Sequence, residues 1–413
     1  MKQQVRVIKT ERDYDAAVAR LSALMDKDIK SGSTEESELE LLALVIESYE
    51  RAKVPTVMSD PIDAIVFRMD QQGLAHKDIE PFIGSASKVS EVLSRKRPLS
   101  LAMIRRLHKG LGIPADVLIG AGGEDIDLSA DPQIDYTKFP LQEMHARGLF
   151  PKFTGNVKQL KDYAEDLMRS FLRNFSEPGQ PALLRAPLHQ SGARVMDEYA
   201  LRVWQLCVLK KARGMRTSAE YRRNTITDGW LRDLAKLSAF EHGPRLAHEY
   251  LRNHGIALVI EDHFDKTYLD GAAMLDGGAP IVALTLRHDR VDNFWFALLH
   301  ECVHVQKHLT TDCVFIADNL DDKTQSDKLE DEANAGAGEA LIPEEAWMSS
   351  PVRISHSAKD AAALAYELRI HPAIVAGRVR RETGDWRLLS GLITSGGKVR
   401  PHFQDQLSNS TNT

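Results

Sequence analysis

Cysteine is nearly absent from this sequence. The three present among 413 residues, Cys207, Cys302 and Cys313, form no C-x-x-C pair and cannot all be bridged within the chain. That excludes a disulfide-stapled secreted scaffold and makes a reducing cytosol the expected setting. Long apolar runs are missing too: the longest, "LELLALVI", falls far short of the roughly 18 residues a membrane span needs. The opening "MKQQVRVIKTERDYD" lacks the apolar core of a secretory signal. No internal repeat or extended low-complexity segment occurs. Nor is there an excess of positive charge, since 53 Lys and Arg face 59 Asp and Glu for a net −6. A uniformly basic chain that coats nucleic acid is therefore excluded, and so is membrane contact; what matters is where charge is segregated.

What is present, 43% apolar and 27% charged residues, fits a globular chain too long for one ordinary core. Two amphipathic helices are expected over 1–55. Tyr14, Ala17, Val18, Leu21 and Leu24 make one stripe, and Leu39, Leu42, Val45, Ile46 and Tyr49 make the other. Ser33 and Glu36 have capping-box spacing before the second helix. A cluster of short helices follows over 56–120, then an acidic linker over 121–132 ("AGGEDIDLSADP") and a helical middle region over 133–250. From 251 to 348 the pattern changes. "GIALVIED", "DGAAMLD" and "PIVALTL" read as three short strands leading into a further helix. Helices and a polar tail close the chain over 349–413. The expected fold class is mainly α and multidomain: a helix-turn-helix domain, a helical middle and an α+β domain with a small sheet.

Within 56–120, "HKDIEPFI" and "SKVSEVLS" are two short helices around a turn at Gly84–Ser85, the spacing of a helix-turn-helix. The second would present Ser85, Ser87, Lys88 and Ser90 to base edges. Arg95, Lys96 and Arg97 follow it, where phosphate contacts are expected. From Ser85 to Lys109 there are seven Lys or Arg against one acid, Glu91, a local +6 in a chain of net −6.

"LLHECVHVQKHL", Leu298 to Leu309, holds His300, Glu301 and His304 in H-E-x-x-H spacing. Residues four apart share a helix face, so both histidines can reach one ion. Glu301, about 100° round, is left as general base for metal-assisted hydrolysis. Leu298, Cys302, Val305 and Leu309 form the opposite stripe, which would bury against the core and turn the histidines to a cleft. Downstream, "KLEDEANAGAGEALIP" offers Glu330 as third ligand of a zinc site, with Asn334 on the same face to steady a ligand; Glu332 is the alternative third ligand.

Two resemblances add to this reading. Residues 8–120, through "DPIDAIVFRMDQQGLAHKDIEPFIGSASKVSEVLSRKRPLSLAMIRRLHKGLGIPADVLI" and the helices before it, resemble the Cro/repressor-type domain of HigA-like antitoxins. That implies operator DNA binding, usually as a homodimer, and often autorepression. Residues 246–348 resemble the ImmA/IrrE family of zinc metallopeptidases through "GIALVIEDHFDKTYLDGAAML", the H-E-x-x-H helix and "LEDEANAGAGEALIP", which carries the family's E-x-x-A-N before Ile-Pro. The resemblance implies His300, His304 and Glu330 as Zn2+ ligands, Glu301 as base, and a repressor or antitoxin-like protein as substrate. The glycines of "NAGAGEA" depart from the family's usual bulk and are expected to loosen the ligand helix.

Other residues carry lesser expectations. His308 lies one turn too far along to be a ligand, and Cys302 is a packed thiol. Tyr268 is a half-buried strand aromatic that could instead meet an oxyanion. Arg287 and His288, just before the helix, solvate a turn or, alternatively, line the cleft. "PIVALTL" is an edge strand that could receive a peptide. Arg378, Arg380 and Arg381 form a solvated face or, alternatively, touch nucleic acid, and Trp204 and Trp295 anchor the core. Together these readings describe a cytoplasmic DNA-binding regulator fused to a zinc metallopeptidase. The alternative is a non-proteolytic antitoxin or autorepressor that binds a toxin and whose metal domain senses a signal or dimerises.

Overall fold

The computed structural model describes residues 7–27, 29–30, 32–53, 60–119, 134–173, 189–190, 196–215, 217, 219–311, 313–318 and 328–408. The acidic linker read at 121–132 and the end of the polar tail lie outside them. The chain divides into two compact units, Met1–Ala130 and Asp131–Thr413.

The first unit opens with α1 (Glu11–Met25) packed on α2 (Thr34–Lys53). Tyr14 stacks on Tyr49 with ring centroids 5.4 Å apart, and Arg20 forks onto Glu38 at 2.8 and 2.9 Å. At the head of α2, Glu36 N donates to Ser33 Oγ, while the Glu36 carboxylate accepts from Gly32 N, one residue further back than a capping box reaches. Next come α3 (Pro61–Gln72), a 3-10 turn at His76–Ile79 running into α4 (Glu80–Ile83), α5 (Ala86–Leu93), α6 (Leu101–Leu111) and α7 (Ala115–Ile119). Asp60 caps α3 by accepting from Ile62 N and Asp63 N, with Pro61 supplying the preset first turn. Ile65, Met69, Ile79, Ile83, Val89, Val92 and Leu107 form the core of this cluster. Gly84 joins α4 to α5 at φ 124°, a conformation open to glycine, so the sharp turn of the motif is fixed by composition. Gly110 has a packing role: a Cβ there would lie 2.1 Å from Phe82, whose ring covers the bare helix backbone.

The second unit contains α8 (Leu141–Ala146), α9 (Ala164–Arg173), β1 (His189–Gln190), α10 (Glu198–Gly214), α11 (Asp228–Lys236), α12 (Gly243–Asn253), β2 (Ala257–Ile260), β3 (Gly271–Asp276), β4 (Ala279–Leu284), α13 (Val291–Lys307), β5 (Phe315–Asp318), α14 (Lys328–Leu341), α15 (Glu344–Ser349), α16 (Val352–Ser355), α17 (Ala358–Leu368), α18 (Pro372–Thr383), α19 (Ser390–Ser395) and α20 (Gln404–Ser408). The strands form one mixed sheet in the order β1-β5-β3-β4-β2. β3 runs antiparallel to β4 and β5, while β2 is parallel to β4 and β1 to β5.

Both faces of this sheet are covered, which explains strands that are apolar without alternation. Leu258, Ile260, Ala273, Val282 and Leu284 face one core, shared with α11 to α14, α17 and α18. Ala257, Val259, Ala272, Met274, Ile281 and Ala283 face a second core, shared with α8 to α10. The stretches read separately as 133–250, 251–348 and 349–413 thus close around one sheet as a single unit. The mainly helical architecture with a small sheet is as expected. Trp204 and Trp295 are fully buried, one in each core.

The edge-strand reading of "PIVALTL" is overturned. β4 lies between β3 and β2 and pairs with both, which leaves it no free edge. Among the described residues, no helix is long and apolar enough to cross a membrane.

Candidate metal centre and the basic helix cluster

α13 carries the H-E-x-x-H residues, and thirteen of its seventeen residues are buried. Its apolar stripe packs on the sheet, with Leu298 and Cys302 fully buried. Burial also pushes the Cys302 thiol well above its ordinary pKa, so the packed-thiol reading stands. The expected open cleft on the other face is filled. His300, Glu301 and His304 are 0% exposed, because α14 lies across them. That approach is close because α14 presents small residues: Ala333 and Ala337 are fully buried, and a Cβ on Gly336 would lie 2.9 Å from Val303. Gly336 therefore seats the ligand helix rather than loosening it. Gly338 has open space where its Cβ would stand.

The arrangement brings Glu330 to the two histidines. Nε2 of His300 and Nε2 of His304 lie 3.0 Å apart, and the Glu330 carboxylate oxygens lie 3.3 Å from the first and 3.4 Å from the second. These three residues form the candidate ligand group among the described residues, with donor atoms within 4.8 Å of one another. Ligand atoms about 2.0–2.1 Å from a tetrahedral ion lie about 3.3 Å apart. The carboxylate meets the two rings through different oxygens, so these separations do not define a single polyhedron, but two imidazoles and a carboxylate within this reach are the donor types and spacing that zinc takes.

Glu332, the alternative ligand, faces elsewhere. Its Oε2 lies 3.3 Å from Nε2 of His308, and Nδ1 of His308 lies 2.8 Å from Nδ1 of His304. One proton assignment satisfies both of these contacts. His304 Nδ1–H donates to His308 Nδ1, and His308 Nε2–H donates to Glu332, which leaves His304 Nε2 unprotonated on the side of His300 and Glu330. Burial lowers the His308 pKa, in keeping with the neutral ring this requires. The sequence holds a signal for the relay, since His300, His304 and His308 recur every four residues; what it lacked was the position of Glu332. Asn334, expected to steady a ligand, bonds to none of them among the described residues. Its Oδ1 is buried without a hydrogen-bond partner.

Glu301 is positioned by β3. A Cβ on Gly271 would lie 2.3 Å from Glu301 Oε1, so the carboxylate occupies the place of the missing side chain. The strand start is itself fixed. Arg287 forks onto the buried carboxylate of Asp270 at 2.9 and 3.2 Å, and Thr285 Oγ1 donates to the carbonyls of Leu269 and Asp270. Arg287 thus anchors the strand rather than solvating a turn, while His288 lines a cavity described below. Tyr268 is half-buried as expected, yet it precedes β3 in a loop with φ 48° and is not a strand residue. The arginines of α18 are not a uniformly solvated face either. Arg380 is buried and donates to Leu388 O, Arg378 lies over the Trp347 ring at 4.5 Å, and Arg381 lies over the Phe296 ring at 4.6 Å.

In the first unit, Ser85 at the N-cap of α5 and Ser87 and Ser90 on the helix are exposed, with Lys88 half-buried beside them. Arg95 and Lys96 are exposed, and Arg95 reaches back to Asp60 and Asp63 at the head of α3, at 3.1 and 2.6 Å. Arg97 departs from the expected phosphate-facing group. It is 7% exposed, with Nε 2.6 Å from Glu91 Oε2, so its guanidinium is committed inside the domain. Arg106 likewise donates to Phe82 O, tying α6 to the end of α4.

Against protein-family models, curated proteins and solved structures alike, the chain gives no match.

Proposed function

We propose that this chain is a zinc-dependent endopeptidase of the ImmA/IrrE kind, joined to a helix-turn-helix unit that binds operator DNA. It acts as a transcriptional regulator that relieves repression by cutting a repressor or antitoxin-like protein. The observation that carries the reading is the convergence of His300, His304 and Glu330 with donor atoms within 4.8 Å of one another, and the carboxylate of Glu301 on the same helix. A zinc ion held there supplies Lewis-acid activation of water and of a peptide carbonyl. The chain's own residues do the rest. The Glu301 carboxylate accepts a proton from the attacking water and returns it to the leaving amine nitrogen. Gly271 and the Arg287–Asp270 pair fix where that carboxylate stands, and the His308–Glu332 relay fixes the ring of His304. Exclusion of water around buried histidines strengthens each electrostatic contact.

On the DNA side, the support is the exposed serine face of α5 beside a local excess of basic residues. The deciding experiment compares the zinc-loaded chain with its Glu301→Gln variant, each incubated with candidate repressor proteins. The expected result is cleavage by the first alone, with equal zinc content and equal operator binding in both. Equal cleavage by the two, or cleavage by neither of any candidate, removes the peptidase reading.

A further inference from the structure

A cavity of about 630 Å³ lies between α13, α14 and α18. It continues the ligand stripes. On α13, Asp292 and Phe296 precede His300 at spacings of four, and the Phe296 and His300 rings lie 6.2 Å apart. On α14, Asn334 and Gly338 follow Glu330 at the same spacing, and both line the cavity. The cavity therefore lies one helical turn along the same helix faces from the three ligand candidates, which are not themselves part of its lining.

Its chemistry is that of a recognition pocket. A volume of this size falls within the range of about 300–1,000 Å³ typical of ligand sites, where apolar walls carry a few placed polar groups. Phe296, Leu341 and Ile374 supply apolar wall, and Trp386 stands at the lining with 58% of its surface exposed. Gly338, mid-helix with open space at its missing Cβ, is a poorer helix former than alanine would be there. Its absent side chain keeps the volume clear. Two polar groups face the occupant. Asn334 Oδ1 is buried without a donor, an acceptor fit for a peptide N–H. Of the lining arginines, Arg290 is forked onto Asp292 and Arg378 is held by Glu344 and Glu382. Arg381 lies over Phe296 and has no carboxylate partner among the described residues.

We propose that this cavity is the subsite that selects the substrate. It takes an extended peptide in which a bulky apolar side chain fills the space and the next residue's carboxylate pairs with Arg381. The inference deepens the peptidase reading and rests on it for the identity of the occupant, while binding can be measured without turnover.

The test uses the full-length chain, zinc-loaded and metal-free, titrated with N-acetyl-Phe-Glu-amide. Trp386 lines this site and is the one exposed tryptophan of the five, so the part of the intrinsic fluorescence change that is lost in Trp386→Phe reports on it. Saturable binding is expected in both forms. Replacing Phe by Ala in the probe should weaken it at least about 10-fold through lost apolar burial, and replacing Glu by Gln about 10-fold through the lost charge-assisted bond. Arg381→Gln should erase the preference for Glu over Gln, and Gly338→Leu should abolish binding with zinc content unchanged. Equal affinity for the three probes, or indifference to both substitutions, overturns the subsite. Binding that meets these expectations in a chain that cuts no protein upholds the subsite and removes the peptidase reading. Cleavage that is indifferent to both substitutions does the reverse.

Discussion

Gly271 and Glu301 occupy one space between them: the strand residue lacks a side chain where the helix residue places its carboxylate, and a Cβ there would stand 2.3 Å from Oε1. On the peptidase reading proposed above, Gly271→Ala is therefore expected to displace the proposed base Glu301 while leaving His300, His304 and Glu330 untouched. A shift near 1 Å costs on the order of 10²-fold in turnover. The expected outcome is a fall in kcat of that size with full zinc occupancy. Loss of zinc alongside activity would mean that the strand, rather than the carboxylate alone, had moved.

The relay from His304 through His308 to Glu332 makes a separate prediction about the ion. Removing an outer partner of a ligating histidine lowers metal affinity by about 10–100-fold. His308→Phe should therefore release zinc to a competing chelator at correspondingly lower chelator concentration, and Glu332→Gln should do so more mildly. If both variants titrate like the parent chain, the His308 contacts are packing only.

Acid sensitivity is predicted at a site away from the metal ligands. His371 caps α18, with Ala373 N donating to its Nδ1 at 3.1 Å. A protonated Nδ1 cannot accept that bond. Burial holds the His371 pKa below its ordinary value, with Asp292 opposing the shift. The stabilisation is therefore present above the unfolded pKa of about 6.5 and is lost as pH falls through that value toward the folded pKa. His371→Asn keeps a capping acceptor that does not titrate. The variant should show a smaller drop in Tm than the parent between about pH 7.5 and 5.5. Parallel Tm profiles would assign the acid loss to other groups.

In the basic cluster, two neighbouring residues are expected to behave differently. Lys96→Ala should weaken duplex binding evenly across sequences and reduce the salt slope by about 1, the signature of one lost phosphate contact. Arg97→Ala breaks the part-buried contact between Arg97 and Glu91 and should lower the stability of the domain by about 1–3 kcal/mol. Denaturant melts alongside anisotropy titrations separate the two effects. A lower salt slope in Arg97→Ala at unchanged stability would contradict the buried pairing.

The sequence alone determined whatever depends on neighbours along the chain. Helical spacing put His300 and His304 on one face, and Gly84 marked the turn before α5. It also placed Glu330 and Asn334 one turn apart, because a helix repeats about every 3.6 residues whatever it packs against. It could not say which carboxylate of "LEDE" meets the histidines, since that depends on how α14 is laid across α13. Gly336 against Val303 and the buried alanines set that approach, leaving Glu330 at the ligands and Glu332 at His308. Nor could it see that the sheet is covered on both faces. The same coverage buries a helix read as half-exposed and places β4 inside a sheet where it was read as an edge. Contacts between residues distant in the chain follow from how side-chain volumes fill shared space, and only the assembled cores fix that.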